Sequence, residues 1–252
     1  MFLGDIHGNF NLVSQYVKKF DLVNCHIIQV GDFGVGFKTF EKEKRELDYL
    51  NNFLVKMNTH LYVVRGNHDY KPYFDNDPFK FENIHLISDY TVLELCEKKI
   101  LFVGGAISVD RGLRKTKRQI TGVHTKTTPG VESWWPDEEF VLDRSKLENL
   151  TGIQIVVTHT CPFYCPPENS FGLGAFVTDI IKETGDTELK RDILVERNQV
   201  AEAFRILKAN NDIKFHMYGH YHKSILTEVD GIKHRLLGIG ELWEEKDYNN
   251  IF

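Results

Sequence analysis

Five short apolar runs in this chain each stop at a glycine or histidine and give way to polar, metal-competent side chains. Met1-Phe2-Leu3 leads into Gly4-Asp5-Ile6-His7-Gly8-Asn9, and Ile27-Ile28-Gln29-Val30 into Gly31-Asp32-Phe33-Gly34. Leu61-Tyr62-Val63-Val64 leads through Arg65 into Gly66-Asn67-His68-Asp69. Ile155-Val156-Val157-Thr158 ends at His159, and Phe215-His216-Met217-Tyr218 at Gly219-His220-Tyr221-His222. A short apolar run bounded by such residues reads as a buried strand ending in a loop, and α/β proteins place their chemistry at the carboxyl ends of strands. Taken singly, a Gly-Asp or Gly-His after a strand is an ordinary turn. Together the five ends supply Asp5, His7, Asp32, Asn67, His159, His220 and His222, a set of metal ligands.

The intervening segments set the fold class. Asn9 is expected to cap a helix carrying Phe10, Val13, Val17 and Phe20. Residues 39–58 predict a second helix with Leu47, Leu50, Leu54 and Met57 on one face. The first third thus reads β-α-β-α-β, the pattern of a parallel sheet. The runs at 84–87, 90–95 and 100–103 look like antiparallel strands. A helix is expected over 187–209, and a C-terminal hairpin turns at Asp230-Gly231. The first strand is short enough that its place in the sheet is expected to fray. The chain reads as one domain over residues 1–252 with loop insertions near 108–136 and 162–186, the latter holding a turn or two of helix near 176–182. Trp134 and Trp135 are expected to pack the first insertion onto the body.

Composition excludes several classes. The 252 residues are 42% hydrophobic, enough for a sizeable core. The net charge is −5 and no long basic run occurs, so no duplex nucleic-acid partner is expected. No apolar run reaches membrane-spanning length, and Asp5 comes too early to leave room for a signal peptide; a cytoplasmic protein is expected. Four cysteines are few for this length. Cys161 and Cys165 have three residues between them, no second pair, and a proline after each, so they read as part of a rigid loop rather than a zinc knuckle. His26, His60, His85, His124, His216 and His234 belong to no motif, and His216, alternating with Phe215 and Met217, is expected to pack or hydrogen-bond rather than ligate.

Mixed imidazole and carboxylate donors suit divalent cations that activate water near neutral pH, and two such ions roughly 3.5–4 Å apart clamp both oxygens of an in-line phosphoryl transfer. Asp5-x-His7 and His220-x-His222 can each converge on one place. Two divalent cations outweigh Asp5, Asp32 and a bridging hydroxide, so the cluster attracts a phosphate dianion even on an acidic protein. Nitrogen and oxygen donors favour manganese, iron, zinc or cobalt, with manganese preferred here.

Taken in order, the five blocks resemble those of the calcineurin-like metallophosphoesterase superfamily and span Asp5 to His222. The resemblance implies a two-sheet α/β sandwich flanked by helices. It implies one metal on Asp5, His7, Asp32 and His222 and a second on Asp32, Asn67, His159 and His220, with Asp32 bridging. It further implies that His68 contacts the phosphate or protonates the leaving group, with Asp69 orienting it, so that His68 and Asp69 are the catalytic pair. Arg65 resembles the arginine that serine/threonine protein phosphatases place there, and Arg111 and Arg114 are candidate phosphate ligands. Those phosphatases also carry Asp-Arg-Gly after the second block, where this chain has Phe33-Gly34-Val35-Gly36, which weakens that assignment. The expected function is a dinuclear metal-dependent hydrolase in which hydroxide attacks phosphorus in line. Its substrate would be a phosphorylated small molecule or nucleotide, monoester or diester. A non-catalytic scaffold of the same fold is the alternative. Native metal, physiological substrate and oligomeric state stay open.

Overall fold

Side-chain alternation along the strands decides which surface meets which layer. In His26–Gln29, Ile27 joins the cluster that contains Val13, Val17, Leu47, Leu50 and Leu54 from two helices, while Ile28 joins the cluster shared with the second sheet. The same split recurs at Leu3 against Phe2 and at Val63 against Val64. The computed structural model describes residues 1–115, 134–167 and 173–244. His124 and the cationic side chains of Lys117 and Arg118, in the long polar insertion, lie outside the described residues.

Two mixed sheets face one another. The first has the order β11-β1-β2-β3-β4, with β1 Phe2–Leu3, β2 His26–Gln29, β3 His60–Val63, β4 Ile84–Leu86 and β11 Leu242–Trp243. Its strands β1 to β4 are parallel, and β11 runs antiparallel to β1. The second sheet has the order β5-β6-β7-β8-β10-β9, with β5 Thr91–Leu95, β6 Lys98–Val103, β7 Ile153–Thr158, β8 Phe215–Tyr218, β9 Ile225–Val229 and β10 Ile232–Leu236. Here β6, β7, β8 and β10 are parallel, and the edge strands are antiparallel to their neighbours. Helices α1 (Asn11–Lys19) and α2 (Phe40–Met57) cover the outer face of the first sheet. Leu47, Leu50 and Leu54 of α2 are at most 2% exposed, each burial contributing about 1.5–3 kcal/mol. The short α3 (Lys71–Asn76) follows β3. Helices α4 (Leu173–Thr184) and α5 (Leu189–Lys208) lie on the other side, where Val200, Ala203, Phe204 and Leu207 of α5 pack on Leu101, Val103 and Val156. No helix among the described residues is long and apolar enough to cross a membrane.

The sandwich is the expected fold, with four local corrections. Ile84–Leu86 is a parallel strand of the first sheet, not part of an antiparallel group, because α3 supplies the crossover that returns the chain beside β3. The segment 162–186 contains a 12-residue helix, α4, rather than a turn or two, and its Val177 and Ile180 pack on Leu189 and Ile193 of α5. Asn9 does not cap α1: Phe10 occupies that position, and no side chain makes a capping bond. The two-residue β1 is not a frayed edge, since Phe2 pairs with Ile28 on one side and Trp243 on the other.

One buried carboxylate ties the loop after β2 to the fold. Glu43 of α2 accepts the Gly36 and Lys38 N–H groups at 2.7 and 3.1 Å. Burial pushes its carboxyl up to about 7 against the pull of those two bonds.

Candidate metal centre

Strands β1, β2, β3, β7 and β8 all deliver side chains from their carboxyl ends, and the chain reverses there in unusual backbone. His7, Asp32, His220 and His222 all have positive φ, between 46° and 69°. Non-glycine residues rarely adopt this region, and such conformations cluster at functional sites.

The donor atoms gather into two groups. Asp5, His7, Asp32 and His222 offer ligand atoms within 4.8 Å of one another, as do Asp32, His159 and His220, so Asp32 belongs to both. Asn67 joins the second group: its Oδ1 lies 3.1 Å from His159 Nε2. His159 Nε2 is also 3.1 Å from Asp32 Oδ1, and His222 Nε2 is 3.3 Å from Asp5 Oδ2. Asp5, Asp32, Asn67, His159 and His220 are buried, whereas His7 and His222 are exposed with their Nε2 atoms 3.1 Å apart. The site therefore opens to solvent on the side of those two rings.

Hydrogen bonds outside the cluster aim the donors inward. His159 Nδ1–H donates to the Val30 carbonyl at 2.8 Å, which turns Nε2 toward Asp32 and Asn67. Asn67 Nδ2 donates to Ser108 Oγ at 2.9 Å, so Oδ1 points into the site. Ser108 in turn donates from Oγ and N to Glu138 at 2.6 and 2.8 Å. Ser108 and Glu138 were not singled out from sequence. Their only signal was position, on either side of the long polar insertion. The Asp32 Oδ1 accepts the His68 N–H at 2.8 Å, and Asp5 Oδ2 accepts the His220 N–H at 3.0 Å.

The charge state fits a cation. Burial pushes the Asp32 carboxyl upward, but His159, His68 and His7 around it prevail and hold it well below the usual carboxylate range. Burial opposes charge on His159, yet the adjoining Asp32 carries its pKa up to about 9. Asp32 thus holds a proton on His159 that a divalent cation at Nε2 would displace. Asp5 Oδ1 is buried with no hydrogen-bond partner at all. A buried carboxylate oxygen left bare is costly, and a cation among Asp5, His7, Asp32 and His222 would satisfy it. The residues fit the pair of divalent ions implied by the resemblance.

Close packing holds this arrangement. A Cβ on Gly219 would lie 2.1 Å from Asp5 Oδ1. Gly219→Ala is expected to fold but to push the Asp5 carboxylate aside, weakening metal affinity about 10- to 100-fold, as read by metal titration of the purified variant.

The other expected site residues are placed differently. His68 faces the cluster, with Nε2 3.8 Å from Asp32 Oδ2 and its ring 5.3 Å from that of His7. Asp69 does not orient His68: it accepts the N–H groups of Phe33, Gly34, Val35 and Gly66 at 2.7–3.2 Å. Its role is to join the loops after β2 and β3. Arg65 is 1% exposed and donates to Asp89 and to the carbonyls of Asp137, Glu138 and Glu139, so its guanidinium is committed to holding that segment rather than offered to a substrate. Arg111 is likewise committed, bonding to Asp186 at 2.8 and 3.1 Å and to Asp192 at 2.7 Å. Arg114 remains at the site: Nη2 is 3.3 Å from His68 Nε2, and Nε bonds Asp110 at 2.7 Å. Trp135 is fully buried against Phe37 and Tyr70, as packing of the insertion requires.

The Arg111 cluster predicts a stability effect. Removing it takes the guanidinium from Asp186 and leaves Asp192 only its contact with Arg191, and Arg111→Ala is expected to cost about 1–3 kcal/mol in urea unfolding. Hydrogen bonds from Arg111 lower the Asp186 pKa; at Asp192 burial pushes the carboxyl up, but Arg111 and Arg191 together outweigh it and lower it as well. Carboxyls depressed in the folded state stabilise above their unfolded value near 3.8 and lose that contribution as pH falls through the folded values. The wild-type advantage over the variant is therefore full at neutral pH and shrinks below about pH 4.

The family model for calcineurin-like phosphoesterases matches residues 1–224 of the chain. Solved structures with similar folds include a dimetal phosphatase from Danio rerio, 14% identical, covering 92% of this chain and 78% of that one, TM-score 0.48. A Thermus thermophilus protein is 9% identical, with coverage of 94% and 88% and a TM-score of 0.49. The phosphopantetheinyl hydrolase of Mycobacterium tuberculosis is 13% identical, with coverage of 94% and 89% and a TM-score of 0.40. No curated protein matches the chain.

Proposed function

The chain belongs to the calcineurin-like phosphoesterase family, and from that premise we propose that it is a dinuclear metal-dependent phosphoester hydrolase. One cation would be held by Asp5, His7, Asp32 and His222, and a second by Asp32, Asn67, His159 and His220. The observation that carries this reading is the membership of Asp32 in both donor groups. Two divalent cations so placed would yield hydroxide from water near neutral pH and offset charge on the phosphoryl oxygens.

The protein's own groups supply the rest. Arg114 and His68, 3.3 Å apart beside the centre, are placed to receive a phosphoryl oxygen or the departing oxygen of the ester. Burial lowers the His68 pKa to about 4, so His68 protonates that oxygen only once the bound phosphoryl charge draws a proton onto its ring, and its backbone N–H to Asp32 keeps the ring registered to the centre. Ser108 and Glu138 fix Asn67, and the Val30 carbonyl fixes His159, so the donors need no rearrangement to bind.

The test is hydrolysis of an aryl phosphate and an aryl phosphodiester with manganese added. Turnover of at least one, abolished by chelation and restored by Mn²⁺, is expected. Bound metal with turnover of neither would instead support the scaffold alternative. If His68 protonates the leaving group, His68→Ala will slow alkyl esters about 10²–10⁴-fold and aryl esters much less. Equal losses on both would assign His68 to phosphate binding alone.

A further inference from the structure

Away from the centre, on the outer face of the second sheet, three side chains share a pocket that the phosphoesterase reading does not use. His216 of β8 and His234 of β10 are register partners on adjacent parallel strands, both fully buried, with Nδ1 atoms 2.9 Å apart. Strand alternation turns Phe215 and Met217 toward the inter-sheet core, and His216 lies on the opposite face, its ring 4.7 Å from that of Phe204 on α5. Cys165, also fully buried, brings its sulfur to the same place: one ligand atom each from Cys165, His216 and His234 lie within 4.8 Å of one another.

Proton bookkeeping shows what the pocket presents. The Thr158 hydroxyl donates to the Thr160 carbonyl. Its oxygen is therefore an acceptor for His216 Nε2 at 2.8 Å, so His216 carries its proton on Nε2. The Nδ1 of His216 then accepts the Nδ1–H of His234 at 2.9 Å, a bond that a cation between them would replace. An imidazole whose outer nitrogen donates to a protein oxygen, with the inner one an acceptor, is set as a metal-ligating histidine. His234 Nε2 is buried with no hydrogen-bond partner. Burial holds both imidazoles in the neutral form that ligates, His216 well below its ordinary value and His234 at about 4.

The segment bearing Cys165 is fastened in place. Arg197 of α5 donates to the carbonyls of Pro162, Cys165 and Pro167, and the Tyr218 hydroxyl donates to Pro166 at 2.8 Å. The thiol is thus set against the two rings by backbone anchors.

We propose that Cys165, His216 and His234 form a third cation site, separate from the dinuclear centre, for a thiolate-binding divalent metal of the zinc type. One sulfur and two imidazole nitrogens are a zinc donor set, with water completing the tetrahedron. Binding releases the thiol proton to solvent and joins the segment after β7 to β8 and β10. The expectation that His216 packs or hydrogen-bonds is met by its bonds to Thr158 and His234; the proposed site would add ligation by His216 and give Cys165 a role.

Cobalt distinguishes the sites, because the dinuclear donor set contains no sulfur. Metal-stripped full-length protein is titrated with Co²⁺ and followed by absorbance. A thiolate-to-cobalt charge-transfer band saturating at one ion per chain is expected, with tetrahedral d–d intensity, and bleached by Zn²⁺. It should vanish in Cys165→Ser, persist in Cys161→Ser, and persist in Asp32→Asn, whatever the phosphoesterase activity of that variant. Circular dichroism establishes that each variant folds, and the wild-type titration stands even if one does not. No thiolate band in folded wild-type protein with excess Co²⁺, or a band unchanged in Cys165→Ser, overturns the proposal.

Discussion

Asp32→Asn is expected to lower phosphoester hydrolysis at least about 10³-fold, equivalent to about 4 kcal/mol of transition-state stabilisation, and to reduce the metal held at the dinuclear centre from two ions to one or none. The size follows from Asp32 being common to both donor groups, so one substitution weakens both cations at once. Asparagine keeps the shape and can still accept the His68 N–H that Asp32 Oδ1 receives at 2.8 Å. What it removes is the charge that holds His159 up to about 9 in the cation-free protein. The variant should therefore fold, with unchanged circular dichroism, while failing in catalysis and metal binding together. Loss of activity with two ions still bound at that centre would contradict a bridging role.

Asp69→Ala is expected to be the most destabilising single change at the site, by about 4 kcal/mol or more, seen as a lower urea midpoint. Asp69 is 1% exposed, and its two oxygens accept four backbone N–H groups, from Phe33, Gly34, Val35 and Gly66. Each buried donor left unsatisfied costs about 1–3 kcal/mol. Asp69→Asn can replace only part of this, since one of its two terminal atoms is a donor facing N–H groups. The loss should be structural first: activity falls because the loops carrying Asp32 and Asn67 come apart. If Asp69→Ala unfolds like wild type while His68-dependent chemistry alone is lost, Asp69 orients His68 after all.

The contrast between those two carboxylates shows what could be read in advance. Asp32 follows an apolar run and a glycine, and the strand-to-loop break placed it at a carboxyl end, where β2 does deliver it. The same reasoning located Asp5, Asn67, His159, His220 and His222, because strand ends are local features of sequence. Three of the four partners of Asp69 were not legible: they lie 34–36 residues away in a loop whose backbone N–H groups carry no sequence signature. Arg65 and Arg111 misled for a related reason. A charge beside a motif looks available to substrate, yet Asp89 and the carbonyls of 137–139 engage the first, and Asp186 and Asp192 the second. In the fold, long periodic helices such as α2 and α5 were readable, whereas β11, a two-residue strand after the hairpin, was too short for any pattern to mark it. Its pairing with β1 is what keeps a two-residue strand inside the sheet.

The most direct test is anomalous diffraction from crystals of the protein soaked in Mn²⁺. Two manganese peaks roughly 3.5–4 Å apart, each within bonding distance of an Asp32 oxygen, with Asp5, His7 and His222 about one and Asn67, His159 and His220 about the other, is the predicted result. A single peak, or peaks that leave Asp32 unbonded, would contradict the dinuclear account.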